Sequence, residues 1–371
     1  MQVSYTLALL MSFFTSVLLV ITKNWHGHLS MDSDEGVQKF HTEATPRIGG
    51  VGVMAGMLVA LVFAPSDVRD ILGPMLLASS LAFGFGLLED ISKNVGVLAR
   101  LLATMGSGLL AWHLTGVAMQ NTGVYLLDWA LQWLPLAVLF TAFAVGGVAN
   151  AVNIIDGFNG LASGSVAIMA GAIGLIALEV GDPSLAGVCA VVAACAVGFG
   201  AVNWPMGRIF LGDGGAYLLG FCVAWLAVLL PMRNPELNAW TTIMVCAYPV
   251  LEVGFSVRRK AKRQGHSPGS PDKVHLHMLV YRRVVRHALP GVGKTLQNSM
   301  TSPWCWVASM LPALWAIRFA MDTFMLQLGF GLAIFFYAAV YARLTQFRWC
   351  FSALTLRPRS ISAANGHGAN L

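Results

Sequence analysis

Eleven stretches of nearly uninterrupted apolar sequence constrain this chain more than any other feature. They run roughly over 3–21, 47–65, 71–88, 98–118, 130–149, 161–178, 184–202, 214–231, 239–257, 303–320 and 324–342. A helix that crosses a bilayer needs about 20 mostly apolar residues. Lipid cannot satisfy backbone N–H and C=O groups, so only helices or closed barrels span it. A barrel requires short segments of alternating polarity, whereas these runs are continuous. The expected fold is therefore an all-α polytopic membrane protein with about 10–11 transmembrane helices. Only 11% of the 371 residues are charged, against about a quarter in soluble domains. Gly84, Gly86 and Pro135 fall inside the runs, where membrane helices tolerate them. The run Val3 to Ile21 lacks a basic start and a small-residue cleavage site, so it reads as a retained helix rather than a signal peptide.

A formal charge of +6 raises the question of nucleic acid. The basic residues, however, lie at the ends of apolar runs, which fits membrane topology and a lipid surface; no nucleic-acid partner is expected. With the N-terminus outside, 23 Lys and Arg sort to the inner side except Arg69, Arg233 and Arg318. The positive-inside bias thus predicts a periplasmic N-terminus and a cytoplasmic C-terminus. One transmembrane domain over 1–345 is expected, with cytoplasmic loops at 22–46, 89–97, 150–160, 203–213 and 258–302, followed by a polar cytoplasmic tail over 346–371. Six cysteines lie in apolar sequence without metal-ligand spacing and read as core packing.

The polar residues that stand out gather in those inner loops. The central one reads Ala149 to Gly164, with Asn150, Asn153, Asp156 and Asn159 among Gly157, Gly160 and Gly164. Asn-Gly and Asp-Gly also form ordinary turns, so this stretch decides nothing alone. Glu89-Asp90 could be a solvated helix end. Asp213, flanked by Gly212, Gly214 and Gly215, is a stronger signal, because glycines let backbone approach a ligand and a carboxylate suits a hard cation. His275 and His277 could be interfacial polar residues, and Arg258 to Arg263 reads as an inside anchor. Pro290 to Thr295 lacks the spacing of a phosphate loop, since position 288 is Ala, and no strand precedes it. Together the face offers Glu89, Asp90, Asp156, Asp213, His275, His277, Lys39 and Lys93. Carboxylates with cationic partners suit Mg²⁺ holding a diphosphate. The residues point to membrane-embedded, metal-assisted phosphoryl transfer and go no further.

Five motifs carry a resemblance: Thr45-Pro-Arg-Ile-Gly-Gly50, Gly86-Leu-Leu-Glu-Asp90, Asn150 to Leu161, Phe210-Leu-Gly-Asp-Gly-Gly215 and His275-Leu-His277. In order and spacing the chain resembles the polyprenyl-phosphate N-acetylhexosamine-1-phosphate transferases of glycosyltransferase family 4, from about residue 1 to 345. The resemblance implies an enzyme in the bacterial inner membrane with its active site on the cytoplasmic face. It implies transfer of N-acetylhexosamine-1-phosphate from a UDP-sugar to undecaprenyl phosphate, giving a lipid-linked diphosphate sugar and UMP. The same likeness implies Mg²⁺ as cofactor, with Mn²⁺ able to substitute, held by Asp213 with Asp156 and Asn153. It casts Asp90, Glu89, Asp156, Asp213, His275 and His277 as catalytic, with Asp90 deprotonating or orienting the lipid phosphate. Lys39, Asn153, Asn159, Asn203, Phe210 and Gly212 are cast as substrate-binding, Phe210 by stacking on uracil.

Three positions depart from the family pattern. Glu89 stands where the pattern has Asp, Asn159 where many members have Asp, and Leu276 and Met278 where others place further His. These forms lean toward surface-glycan assembly (O-antigen, capsule or exopolysaccharide) rather than peptidoglycan. Two other classes compete. A transporter or carrier is suggested by the intramembrane Glu252, though no repeat is visible. A CDP-lipid alcohol phosphotransferase would need Ala-Arg where the chain has Leu161-Ala162-Ser163. N-acetylglucosamine is the default sugar and 6-deoxy-N-acetylamino sugars its rivals; the oligomeric state, a homodimer included, stays open.

Overall fold

The computed structural model describes residues 2–32, 45–261 and 274–346. Lys39, the remainder of the loops 22–46 and 258–302, and the tail from 347 lie outside the described residues. The chain opens with α1 (Gln2–Ile21) and α2 (Lys23–Ser30), then a two-residue antiparallel pair, β1 (Met31–Asp32) with β2 (Thr45–Pro46), in which Met31 faces Pro46. Next come α3 (Gly50–Phe63), α4 (Ser66–Ser92), α5 (Val97–Thr115), α6 (Tyr125–Ala130) and α7 (Leu134–Ile155). The second half holds α8 (Leu161–Glu179), α9 (Pro183–Asn203), α10 (Gly212–Arg233), α11 (Ala239–Val245) and α12 (Ala247–Ala261). It continues through α13 (Leu276–Val280), one π-helical turn (Tyr281–Val285), α14 (Arg286–Ala288), α15 (Lys294–Arg318) and α16 (Thr323–Thr345).

All eleven apolar runs lie in helices, which is the all-α polytopic membrane fold. Among the described residues eight helices are long and apolar enough to cross a bilayer, and α11 with α12, bent by 81°, makes up to nine. The second run forms α3, only 14 residues long, about 21 Å at the α-helical rise and so short of a full crossing. The tenth run forms the last part of α15, which starts at Lys294 with a polar first third.

Helix α10 is the axis of the bundle. It is apolar all round and almost wholly buried, as a helix must be when neighbours cover every face. It packs against α3, α4, α5, α7, α8, α9 and α11, whereas Phe14, Leu77, Phe143 and Phe335 point outward from α1, α4, α7 and α16. Small residues set the close approaches, as expected where lipid tails offer no hydrophobic drive between helices. Ser12 on α1, for example, donates to the Cys195 carbonyl of α9 at 2.9 Å. The five described cysteines are all buried.

The helices also run further than the apolar runs do. Glu89 and Asp90 lie within α4, Asn150 and Asn153 within α7, and Asp213 in the first turn of α10. The expectation of loops over 89–97 and 150–160 is corrected accordingly, to turns after Ser92 and Ile155. Apolarity ends where a helix leaves lipid, but the backbone ladder continues as long as its hydrogen bonds are satisfied.

Candidate active site

Three helix ends from distant parts of the sequence meet at one end of the bundle: the C-terminal ends of α4 and α7, and the N-terminal end of α10. What lets them meet is missing side-chain volume. A Cβ on Gly86 of α4 would lie 2.6 Å from the backbone of Gly214. Gly212 has φ +75°, and a Cβ there would lie 2.3 Å from the Arg47 carbonyl and 2.5 Å from Asp90 Oδ2.

That approach brings the buried Asp90 against the first turn of α10, where backbone N–H groups lack helical partners and favour an anion. Asp213 N donates to Asp90 Oδ1 and Gly214 N to Asp90 Oδ2, each at 2.8 Å. Arg47 follows β2 and bridges two carboxylates, with Nε 3.2 Å from Asp90 Oδ1 and Nη2 2.5 Å from Asp213 Oδ1. Arg100, one turn into α5, donates to Asp213 Oδ2. The loop carrying Arg47 is tied to the α9–α10 connection: Phe210 N donates to the Pro46 carbonyl at 2.8 Å, and Gly49 N to the Phe210 carbonyl at 2.9 Å. Phe210 is half-buried beside this tie.

Asp156 sits just past the end of α7, half-buried. Desolvation pushes its carboxyl up to about 7; the Arg47 charge opposes this, and the charges of Asp213 and Asp90 add to it. Asn153, on the last turn of α7, donates from Nδ2 to the Tyr217 hydroxyl at 3.0 Å, so its oxygen donor is the amide carbonyl.

The remaining expected residues form the walls. Asn203 holds two loops together: its Oδ1 accepts from Gly160 N at 2.5 Å and its Nδ2 donates to the Ile209 carbonyl at 2.6 Å. Asn159 is buried against the polar start of α15, its N donating to Asn298 Oδ1 at 2.9 Å and its Nδ2 to Ser299 Oγ at 3.0 Å. Glu89 serves its own turn, accepting from Val95 N at 2.7 Å, while Lys93 ends α4 in the left-handed region, with φ 56°. His275 and His277 stack with centroids 5.3 Å apart and planes 9° off parallel. His277 meets Phe158 edge-on at 5.7 Å, and its Nε2 would lie 3.4 Å from a Cβ on Gly157. Glu252, the carboxylate behind the carrier alternative, is fully buried and contacts His275.

The structure therefore brings Asp90, Asp156, Asp213, Asn153 and Gly212 to one place, with the histidine pair against the turn that follows Asp156. Arg47 and Arg100 are the site residues that sequence reasoning did not single out. Arg47 lies inside a quoted motif, and Arg100 is a charge near the start of an apolar run, which is by default a functional signal. Among the described residues no three His, Cys, Asp or Glu groups form a preformed metal cage. The donors present are hard oxygens: Asp213, Asp156 and the Asn153 carbonyl. They fit an ion such as Mg²⁺, which takes one or two carboxylates and completes its shell with water and substrate phosphates.

The fold and site define a polytopic all-helical membrane protein in which carboxylates and guanidiniums converge at one end of the bundle. Residues 72–231 match the profile of the family described as Glycosyl transferase family 4. The match takes in most of α10 and the helix ends that carry Asp90, Asp156 and Asp213. The chain is 26% identical over 274 residues to the undecaprenyl-phosphate alpha-N-acetylglucosaminyl 1-phosphate transferase of Yersinia pestis, covering 72% of this chain and 74% of that one. The Salmonella typhi protein of the same name is 26% identical over 316 residues, 80% and 85% of the two chains. A probable undecaprenyl-phosphate N-acetylglucosaminyl 1-phosphate transferase of Bacillus subtilis is 29% identical over 250 residues, 65% and 66%.

Proposed function

We propose that this chain transfers N-acetylhexosamine-1-phosphate, with N-acetylglucosamine as the first candidate sugar, from a UDP-sugar to undecaprenyl phosphate, initiating a cell-surface glycan. One observation carries the reading: Asp90, Asp156 and Asp213, each from a different helix end, converge with Arg47 and Arg100. In the reaction an oxygen of the lipid phosphate attacks the sugar-bearing phosphorus. A new P–O bond makes the lipid-linked diphosphate, and the P–O bond to UMP breaks.

Asp213, Asp156 and the Asn153 carbonyl would hold Mg²⁺, which supplies neutralisation of charge on the diphosphate. Arg47 and Arg100 supply fixed positive charge where negative charge develops. Asp90 accepts from the first turn of α10 through both carboxylate oxygens and so holds Asp213 in place, while its Oδ1 also faces Arg47. His275 and His277 face the diphosphate from the other wall, and Phe210 lies beside the connection that would receive the uracil. We take the site to face the cytoplasm of a bacterial inner membrane, where a UDP-sugar is available and the positive-inside bias puts these loops.

The test is direct. Purified full-length protein with Mg²⁺ should release UMP from UDP-N-acetylglucosamine or a related UDP-N-acetylamino sugar only when undecaprenyl phosphate is added. Failure to release UMP from any member of such a panel would overturn the reading.

A further inference from the structure

Glu252 lies on α12, beyond the 81° bend, and is wholly shielded from solvent. A carboxylate at this depth in a membrane helix needs partners close at hand. It has them on the segment that carries the histidine pair. Glu252 Oε1 lies 2.8 Å from His275 Nδ1. Leu276 N donates to Oε1 at 3.0 Å and to Oε2 at 3.3 Å. The other titratable groups facing the carboxylate are His277 on α13, Tyr248 on α12, Cys305 on α15 and Tyr337 on α16.

Both Leu276 contacts use Glu252 as acceptor, and the pairing with the imidazole is complete when Nδ1 carries the proton. Such a bond fixes the tautomer and the orientation of the ring. Nε2 then stands on the far side of the ring from Glu252, as an acceptor. The effect passes along a stack: the His275 ring lies parallel to His277, which meets Phe158 and Gly157, the residues directly after Asp156.

We propose that Glu252 is a positioning residue, a buried membrane carboxylate that anchors the histidine segment to α12 and holds His275 with Nδ1 protonated and Nε2 turned to the diphosphate. This rests on the reading above that the histidine pair faces the substrate. It also gives this buried intramembrane carboxylate a task within transfer chemistry, without any ion-coupled transport.

The experiment uses the full chain in detergent, ¹⁵N-labelled at histidine, with His275 assigned by loss of its signals in His275→Asn. The wild type should show the Nδ1–H tautomer at His275. Glu252→Leu, which removes both acceptors at similar volume, should abolish that signature and lower kcat roughly 10- to 100-fold, with KM for the UDP-sugar changed by less than about threefold. Glu252→Gln keeps an acceptor and should restore most of both. In the His275→Asn background, adding Glu252→Leu should change kcat by less than about twofold, because residues acting through one another are not additive. Glu252→Gln keeps an acceptor for Leu276 N, so its tautomer and kcat serve even if the leucine variants do not fold. An unaltered His275 tautomer in Glu252→Leu, or a further tenfold loss in the double variant, would overturn the proposal. The tautomer measurement needs no substrate, so it stands even if no UDP-sugar is turned over.

Discussion

Carboxylates meet arginines at both ends of this bundle, to opposite effect. At the end away from the site, Asp182 caps α9 through Leu185 N at 3.1 Å and takes Arg233 bidentately, Nε to Oδ2 at 2.6 Å and Nη2 to Oδ1 at 3.0 Å. One charge closes on one charge. The hydrogen bonds from Arg233 hold the Asp182 carboxyl below its ordinary value, against the desolvation that would raise it. At the site end three carboxylates face two guanidiniums, and Asp156 rises to about 7, chiefly through desolvation, with the charges of Asp213 and Asp90 adding to it against Arg47. The first arrangement satisfies itself and is structure. The second gathers more carboxylates than guanidiniums, an imbalance that the cation proposed for the site would redress.

The largest effect should come from removing charge at the unbalanced end. Asp213→Asn should cut UMP release by at least about 10³-fold while the protein still inserts and elutes as the wild type does. Asp182→Asn should leave turnover within about twofold, since that pair has no substrate to serve. Equal losses from both substitutions would erase the distinction between the ends.

Next comes the contact that assembles the site. Gly86→Ala places a methyl 2.6 Å from Gly214 backbone, where neither partner has a flexible side chain to give way. It should cost about 1–3 kcal/mol of stability and lower kcat as well, because the same helix contact aligns Asp90 with the first turn of α10. A thermal melt and a rate measured on one preparation check both.

The apolar runs made the helices legible, because lipid leaves the backbone no alternative. The glycines in the motifs marked where helices touch. Which helix ends touch was another matter: Asp90 and Gly214 are 124 residues apart, and no periodicity encodes such a pairing. Arg100 was hidden by its surroundings, a lone charge in a run otherwise ready for lipid. Asn159 looked like a ligand group by its motif, yet its side chain is bound to Ser299 on α15. That contact was unreadable because the polar start of α15 falls outside any apolar run.

A smaller effect sharpens the comparison through pH. Asp156 in the folded protein titrates near 7, above the ordinary carboxylate range. Between about pH 4 and 7 the folded state therefore binds more protons than the unfolded one, and stability contributed by this group falls as pH rises. In EDTA, the melting temperature of the wild type should drop relative to Asp156→Asn across that window and run parallel to it above about pH 7. Parallel curves throughout would mean that burial does not raise Asp156.

The opposite sign is expected at the other end, with the smallest amplitude. The folded value of Asp182 is depressed, so its contribution is fully present above the unfolded value near 4 and is lost as pH falls through the folded value. Arg233 is partly exposed, with 38% of its side-chain surface accessible, so screening limits the pair to about 1 kcal/mol. The gap in stability between wild type and Asp182→Asn should stay constant from pH 7 down to about 5 and close below about 4. High salt should narrow it. A gap that instead widened as pH fell would mean that Asp182 is strained by burial as Asp156 is, and the two ends would then be one kind of place.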